Sequence, residues 1–236
     1  MPNNFVTTPA KIVLVENWDM VKFQLDTTGA QPADVSGYAH SLSFGASVTL
    51  DSSFTKFNQK TLKLANTGVQ AIRTDVLAEF NFTNQDMCID GWWKFDDMTL
   101  QNSLFRFENP DRTTTPNTNS YNPYLMAFND GYMYLRSANT GSNIAAPQPH
   151  RMVQGQMHHV EVDKVGNSWY VFVDGVMIMS GSSASLPQPI LDNPKAFSLG
   201  EINTGGSRNI YGVRVQIGSA RHTANFTPPT APPLVG

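Results

Sequence analysis

Three scarcities bound this 236-residue chain. It has one cysteine, Cys88, so no intramolecular disulfide can staple the fold and no Cys-based zinc site can form. Charged residues make up only 15% of it, and 16 Lys+Arg against 19 Asp+Glu leave a net charge of −3. That balance excludes a nucleic-acid grip built on a basic stripe. No apolar run approaches the ~20 residues of a membrane-spanning helix. Residues 1–18 carry neither a basic region nor a clean apolar stretch ahead of a small-residue cleavage site, so no signal peptide is expected and folding in a cytoplasm is.

Apolar side chains are plentiful. Hydrophobic residues are 40% and aromatics 11%, enough for a core and incompatible with wholesale disorder. The length suits one all-β domain, since sandwiches commonly run to roughly 200–250 residues as one unit. No repeat or linker divides the chain. The expectation is one domain over residues 1–236, with a short N-terminal arm (about 1–9) and a Pro-rich tail (about 227–236).

The hydrophobic pattern alternates. In Met87-Cys88-Ile89-Asp90-Gly91-Trp92-Trp93-Lys94-Phe95, one face takes Met87, Ile89, Trp93 and Phe95, the other Asp90, Trp92 and Lys94. That is the period of a half-buried strand. His158, Val160 and Val162 alternate with His159, Glu161 and Asp163 in the same way. Asp174-Gly175 separates two β-rich runs, a type I′ hairpin signal, and Asn129-Asp130-Gly131 joins a second pair. Further strands are expected within 11–15, 41–50, 61–64, 103–107, 196–199 and 210–217. No window carries a capped helical stripe, so the chain reads as all-β and antiparallel, a sandwich or a barrel. Residues 109–123 and 137–150 are long polar connections, the kind that either bind or simply lie solvated.

Several segments resemble a known family. Residues 44–64, with Asp51, Lys56-Phe57 and Lys60-Thr61-Leu62, look like the early strands of concanavalin A-like domains of the laminin-G-like type. Residues 86–95 are similar to that family's aromatic strand, with Met87 in the Phe place. Met157-His158-His159-Val160-Glu161-Val162 resembles its Trp-His-His-Val strand with Met157 for Trp, and 170–176 resembles its hairpin. Leu199-Gly200 and residues 210–215 resemble its closing strands. The ending Ala220-Arg221-His222-Thr223-Ala224-Asn225-Phe226-Thr227-Pro228-Pro229-Thr230-Ala231-Pro232 is similar to the close of such domains in tailed-phage virion proteins. The resemblance covers roughly residues 40–233 and implies two antiparallel sheets packed face to face, a jelly-roll sandwich.

Some relatives of this fold are glucanases whose active strand resembles Glu-x-Asp-x-Glu. Here Glu161-Val162-Asp163 is followed by Val165, so the third carboxylate is missing, and an outward polar strand face is the simpler reading. His158, on the apolar face, is expected to be a hydrogen-bonded core histidine. The family often holds Ca²⁺ at the rim, for which Asp96, Asp97, Asp130 and Asp174 are the candidate ligands, although Asp130 and Asp174 already serve as turn formers. Glycan binding needs an exposed aromatic platform with polar neighbours. Trp92 with Asp90, and Tyr121 with Tyr124, could supply it, unless Trp92 packs under a neighbouring loop.

Two non-enzymatic roles follow. In the first, the resemblance implies a virion component that decorates head or tail, docking on capsid or tail subunits through its termini and the 109–123 loop. In the second, it implies a host-recognition lectin for surface glycans. Neither involves nucleic acid or membrane, and homo-oligomers suit both. A glycan hydrolase is disfavoured by the incomplete carboxylate set.

Overall fold

Alternating apolar residues can bury one face only by pairing strands into sheets and stacking the sheets. The computed structural model shows that solution, and describes residues 20–45, 48–65, 72–75, 78–80, 85–108, 123–127, 129–137, 142–183, 196–200 and 206–233. The expected strand at 11–15, the N-terminal arm and residues 109–122 with Tyr121 lie outside the described residues.

All pairing is antiparallel, and the described strands form two sheets. The larger runs in the order β14 (Val176–Ser182), β13 (Ser168–Val173), β12 (Met157–Val165), β7 (Met87–Phe95), β16 (Arg208–Ile217), β1 (Val21–Asp26) and β2 (Ala33–Asp34). β5 (Gln59–Leu64) also pairs with β16 and carries β4 (Val48–Lys56) on its other side. The smaller sheet is β11 (Gln148–Pro149), β10 (Tyr132–Ser137), β9 (Pro123–Ala127), β8 (Asn102–Glu108), β15 (Ala196–Leu199), β6 (Ile72–Thr74) and β3 (Leu42–Phe44). Both expected hairpins form. Asp174 (φ 51°) and Gly175 (φ 75°) take the two positive φ values that a type I′ turn requires.

The core lies between the sheets. The inward row of β7, namely Met87, Ile89, Trp93 and Phe95, meets Phe105, Phe107, Leu125 and Leu135 of the smaller sheet in one buried cluster. Phe197 of β15 is the aromatic hub, with ring centroids 5.2 Å from both Phe23 and Phe107. His158 is a core histidine, as expected. Its Nδ1 pairs with Asp174 at 2.6 Å, and its Nε2 accepts from the Val153 N–H at 2.9 Å.

Candidate functional site

The backbone register lays out a lattice on the outer face of the larger sheet. Across β12, β7 and β16, His159 stands beside Trp92 and Tyr211, Glu161 beside Asp90 and Arg214, and Asp163 beside Cys88 and Gln216. This face points away from the core, yet Glu161, Asp163 and Cys88 are 1%, 0% and 0% exposed. The cover is the chain's own ending. The Arg221 and His222 N–H groups donate to the two oxygens of Asp163 at 2.7 and 3.3 Å, and the His222 ring pairs with Glu161. Phe226 stacks on His222 with centroids 3.8 Å apart and donates its N–H to the Gly175 carbonyl at 2.9 Å. Asn225 accepts from the Met177 N–H at 2.8 Å. A Cβ on Gly175 would stand 2.0 Å from the Phe226 carbonyl oxygen, so only glycine admits the tail here.

Two expectations are corrected by this arrangement. The Glu161–Asp163 face is not an outward solvated one, because residues 220–226 roof it. The Pro-rich ending, expected from its missing N–H donors to lie extended over the sandwich edge, is extended but crosses the face of the sheet instead. Deleting residues 220–236 should therefore expose Cys88. A thiol reagent is expected to leave the intact protein unlabelled and to label the truncated one within minutes; equal protection in both would show that the strands alone bury Cys88.

Burial sets the electrostatics. Asp90 accepts from Arg214 Nε at 3.1 Å and from Arg221 Nη1 at 3.1 Å. Desolvation pushes its carboxyl up, but Arg214, the His159 ring 3.7 Å away and Arg221 outweigh that and hold it well below the usual carboxylate range. Glu161 lacks such a partner. Burial, reinforced by the Asp90 charge, pushes it up to about 7. Asp163 rises to about 8 through burial and the neighbouring Glu161. Both acids therefore resist ionisation far more than Asp90 does.

Trp92 is packed, as the alternative reading had it. It is 8% exposed, edge-on to Phe57 and His159, with the Lys56 ammonium 3.4 Å above its ring. A rim of Trp92 still lines a cleft of roughly 230 Å³ with Asp90, Arg214 and Arg221, walled by residues 229–233. Past Gly212 and Pro233 a second cleft of roughly 360 Å³ continues along Tyr211, Gln59, Gln24 and Asp26. Trp92 and Asp90 are thus brought together, whereas Tyr124 stands in the smaller sheet between Arg106 and Arg136.

The proposed calcium ligands are each occupied locally. Asp96 accepts from Lys94 at 2.5 Å, Asp97 from the Thr99 N–H and hydroxyl, Asp130 from the Tyr132 N–H and the Tyr134 hydroxyl, and Asp174 from His158. Among the described residues, the acid, thiol and imidazole groups close enough to share an ion are others: Asp90, His159 and Glu161, and Cys88, Glu161 and Asp163. Arg214, Arg221, His222 and Tyr211 were not singled out by sequence reasoning; only the similarity of the ending pointed to residues 221–222.

No protein-family model matches the chain, and no curated protein matches it. Solved structures do. The binding domain of Paraclostridial Mosquitocidal Protein 1 is 15% identical with a TM-score of 0.64, over 87% of this chain and 50% of that one. The receptor binding domain of botulinum neurotoxin D is 13% identical with a TM-score of 0.65, over 87% and 50%. The serotype D ligand binding domain in complex with N-acetylneuraminic acid is 14% identical with a TM-score of 0.65, over 87% and 49%. The chain spans about half the length of these proteins, and at such identity the likeness shows the shared β-sandwich fold.

Proposed function

We propose that the chain is a non-enzymatic carbohydrate-binding domain, and that its site is the pair of adjoining clefts on the outer face of the larger sheet. The observation that carries this reading is the mixture of surfaces gathered there. The rims of Trp92 and Tyr211 offer apolar flats for the C–H face of a sugar ring. Asp90, Gln59, Asp26 and Arg221 offer hydroxyl partners of fixed geometry, few and convergent as in ligand sites generally. The binding domains that share the fold, one of them in complex with N-acetylneuraminic acid, support a binding role. Hydrolysis is disfavoured on physical grounds, since Glu161 and Asp163 lie sealed under the tail where no glycosidic oxygen reaches them.

A glycan array tests the reading. Binding to a subset of glycans is expected, weakened about tenfold by Gln59→Ala and by Tyr211→Phe, each of which removes a polar partner worth about 1 kcal/mol or more at the cleft. Thermal stability should fall only slightly, since the Tyr211 hydroxyl and Gln59 hydrogen-bond each other and each substitution removes that one bond, worth about 1 kcal/mol. An array without signal, or binding indifferent to both substitutions, would overturn the assignment.

On the similarity of the ending alone, we further place the domain on the surface of a tailed-phage particle. Since residues 220–233 are engaged on their own sheet, contacts with capsid or tail subunits fall to the N-terminal arm and the 109–123 loop. Removing residues 1–8 should reduce incorporation into particles lacking the protein, and full incorporation would count against that placement.

A further inference from the structure

We propose that Asp90, His159 and Glu161 form a binding site for one divalent transition-metal ion of the zinc type, set beneath the C-terminal tail. The proposal does not rest on sugar binding, although Asp90 is common to both sites, and it stands on three observations.

The first is geometry. One oxygen each from Asp90 and Glu161 and one ring nitrogen of His159 lie within 4.8 Å of one another. Three atoms so placed can reach a common centre at the roughly 2.0–2.2 Å bonds that zinc makes with imidazole and carboxylate, after shifts of about 1 Å at most. The register imposes this grouping: Glu161 is the cross-strand partner of Asp90, and His159 stands two residues before Glu161 on the same face of β12.

The second is unspent bonding capacity. His159 is fully buried, and neither of its ring nitrogens has a hydrogen-bond partner; Nε2 stands 3.7 Å from Asp90 Oδ2. Glu161, 1% exposed, has an Oε2 in the same condition. Buried polar atoms are ordinarily satisfied, so two neighbouring buried groups with open ligating atoms call for a guest. Asp163 is not within that 4.8 Å distance of Asp90 and His159 and groups instead with Cys88 and Glu161, which leaves it outside the set.

The third is ligand type. The open atoms are a carboxylate oxygen and imidazole nitrogens, which can offer lone pairs to a cation. Arg214 and Arg221 on Asp90, and His222 on Glu161, would then act as the outer layer that orients ligating groups. One nitrogen and two oxygens suit a borderline ion such as Zn²⁺ or Co²⁺, whereas Ca²⁺ takes six to eight oxygens that this pocket does not supply. Asp90 also lines the smaller cleft, which gives the ion a way in from solvent.

The test uses the full chain, stripped with a chelator, dialysed and titrated separately with Zn²⁺, Co²⁺ and Ca²⁺. About one equivalent of Zn²⁺ or Co²⁺ and no Ca²⁺ should bind, with a rise in melting temperature by mass action. Glu161→Gln, which keeps the side-chain shape, should weaken Zn²⁺ binding at least about tenfold while leaving the melting temperature of the ion-free protein nearly unchanged. His159→Phe keeps the ring contacts with Trp92 and Phe226 and should do the same; if that variant does not fold, Glu161→Gln decides. Failure of Zn²⁺ to bind at about 1 mM, or undiminished binding by Glu161→Gln, overturns the proposal.

Discussion

Exchange of Arg214 for methionine is expected to destabilise the fold by about 3–5 kcal/mol, read as a lower denaturant midpoint at unchanged slope, with chelator present. The physical reason lies in what is left behind. Asp90 is 5% exposed and its carboxylate is kept ionised by Arg214, His159 and Arg221. Arg214, itself 2% exposed, supplies contacts at 3.1 and 3.4 Å, while the Arg221 side chain is 23% exposed and better screened. Removing Arg214 leaves that buried charge to the part-exposed Arg221 and the His159 ring, beside Glu161 and Asp163, which already resist ionisation. Asp90→Asn in the same chain removes that charge, so the double variant should recover much of the loss, a coupling that a thermodynamic cycle reads directly. A loss below about 1 kcal/mol would mean that the pair behaves like one on the surface and that the tail does not seal it.

Strand positions were legible in the residues where alternation is clean. Residues 87–95 and 158–163 read correctly on both faces, and both turn signals marked their hairpins. Val21, Phe23 and Leu25 alternate just as cleanly with Lys22, Gln24 and Asp26, a strand signal for β1 that the expected strands do not include. The site was much less legible, for two reasons. Strict alternation from Ile210 would put Arg214 on the inward face with it. A bulge between Tyr211 and Arg214, with Gly212 at φ 59°, breaks the parity, so Ile210 and Val213 both enter the core while Arg214 turns outward to Asp90. Nothing in the local pattern announces that extra residue. The burial of Glu161 and Asp163 was hidden for a different reason: alternation tells which face a side chain takes, but not whether another segment, here 58 or more residues downstream, covers that face. Fold class follows from period and turn chemistry. The charged cluster follows from one bulge and one docked tail.

Trp93→Ala is expected to be the costliest single truncation of an aromatic in β7, at about 3–5 kcal/mol, the usual range for a large buried side chain replaced by a methyl. Trp93 is 0% exposed in the cluster between the sheets, with His158 and Ile210 as its cross-strand neighbours. Its indole lies over Gly91, where an added Cβ would meet the ring at 3.0 Å, so Gly91 itself offers no side chain to fill the hole and only the short Val213 stands on that flank. Trp92→Ala should cost less, about 2 kcal/mol, because Trp92 loses edge contacts to Phe57 and His159 at a site where Lys56 and solvent can move in. A third variant separates packing from hydrogen bonding. Trp93 Nε1 is buried without an acceptor, so Trp93→Phe removes an unsatisfied donor along with some volume and should cost well under half of Trp93→Ala. Equilibrium unfolding of the three variants gives the order Trp93→Ala, Trp92→Ala, Trp93→Phe. If Trp92→Ala proves the most damaging, β7 is displaced by one residue in register, every side chain on it changes face, and the lattice of His159, Asp90, Glu161 and Arg214 built on that register falls with it.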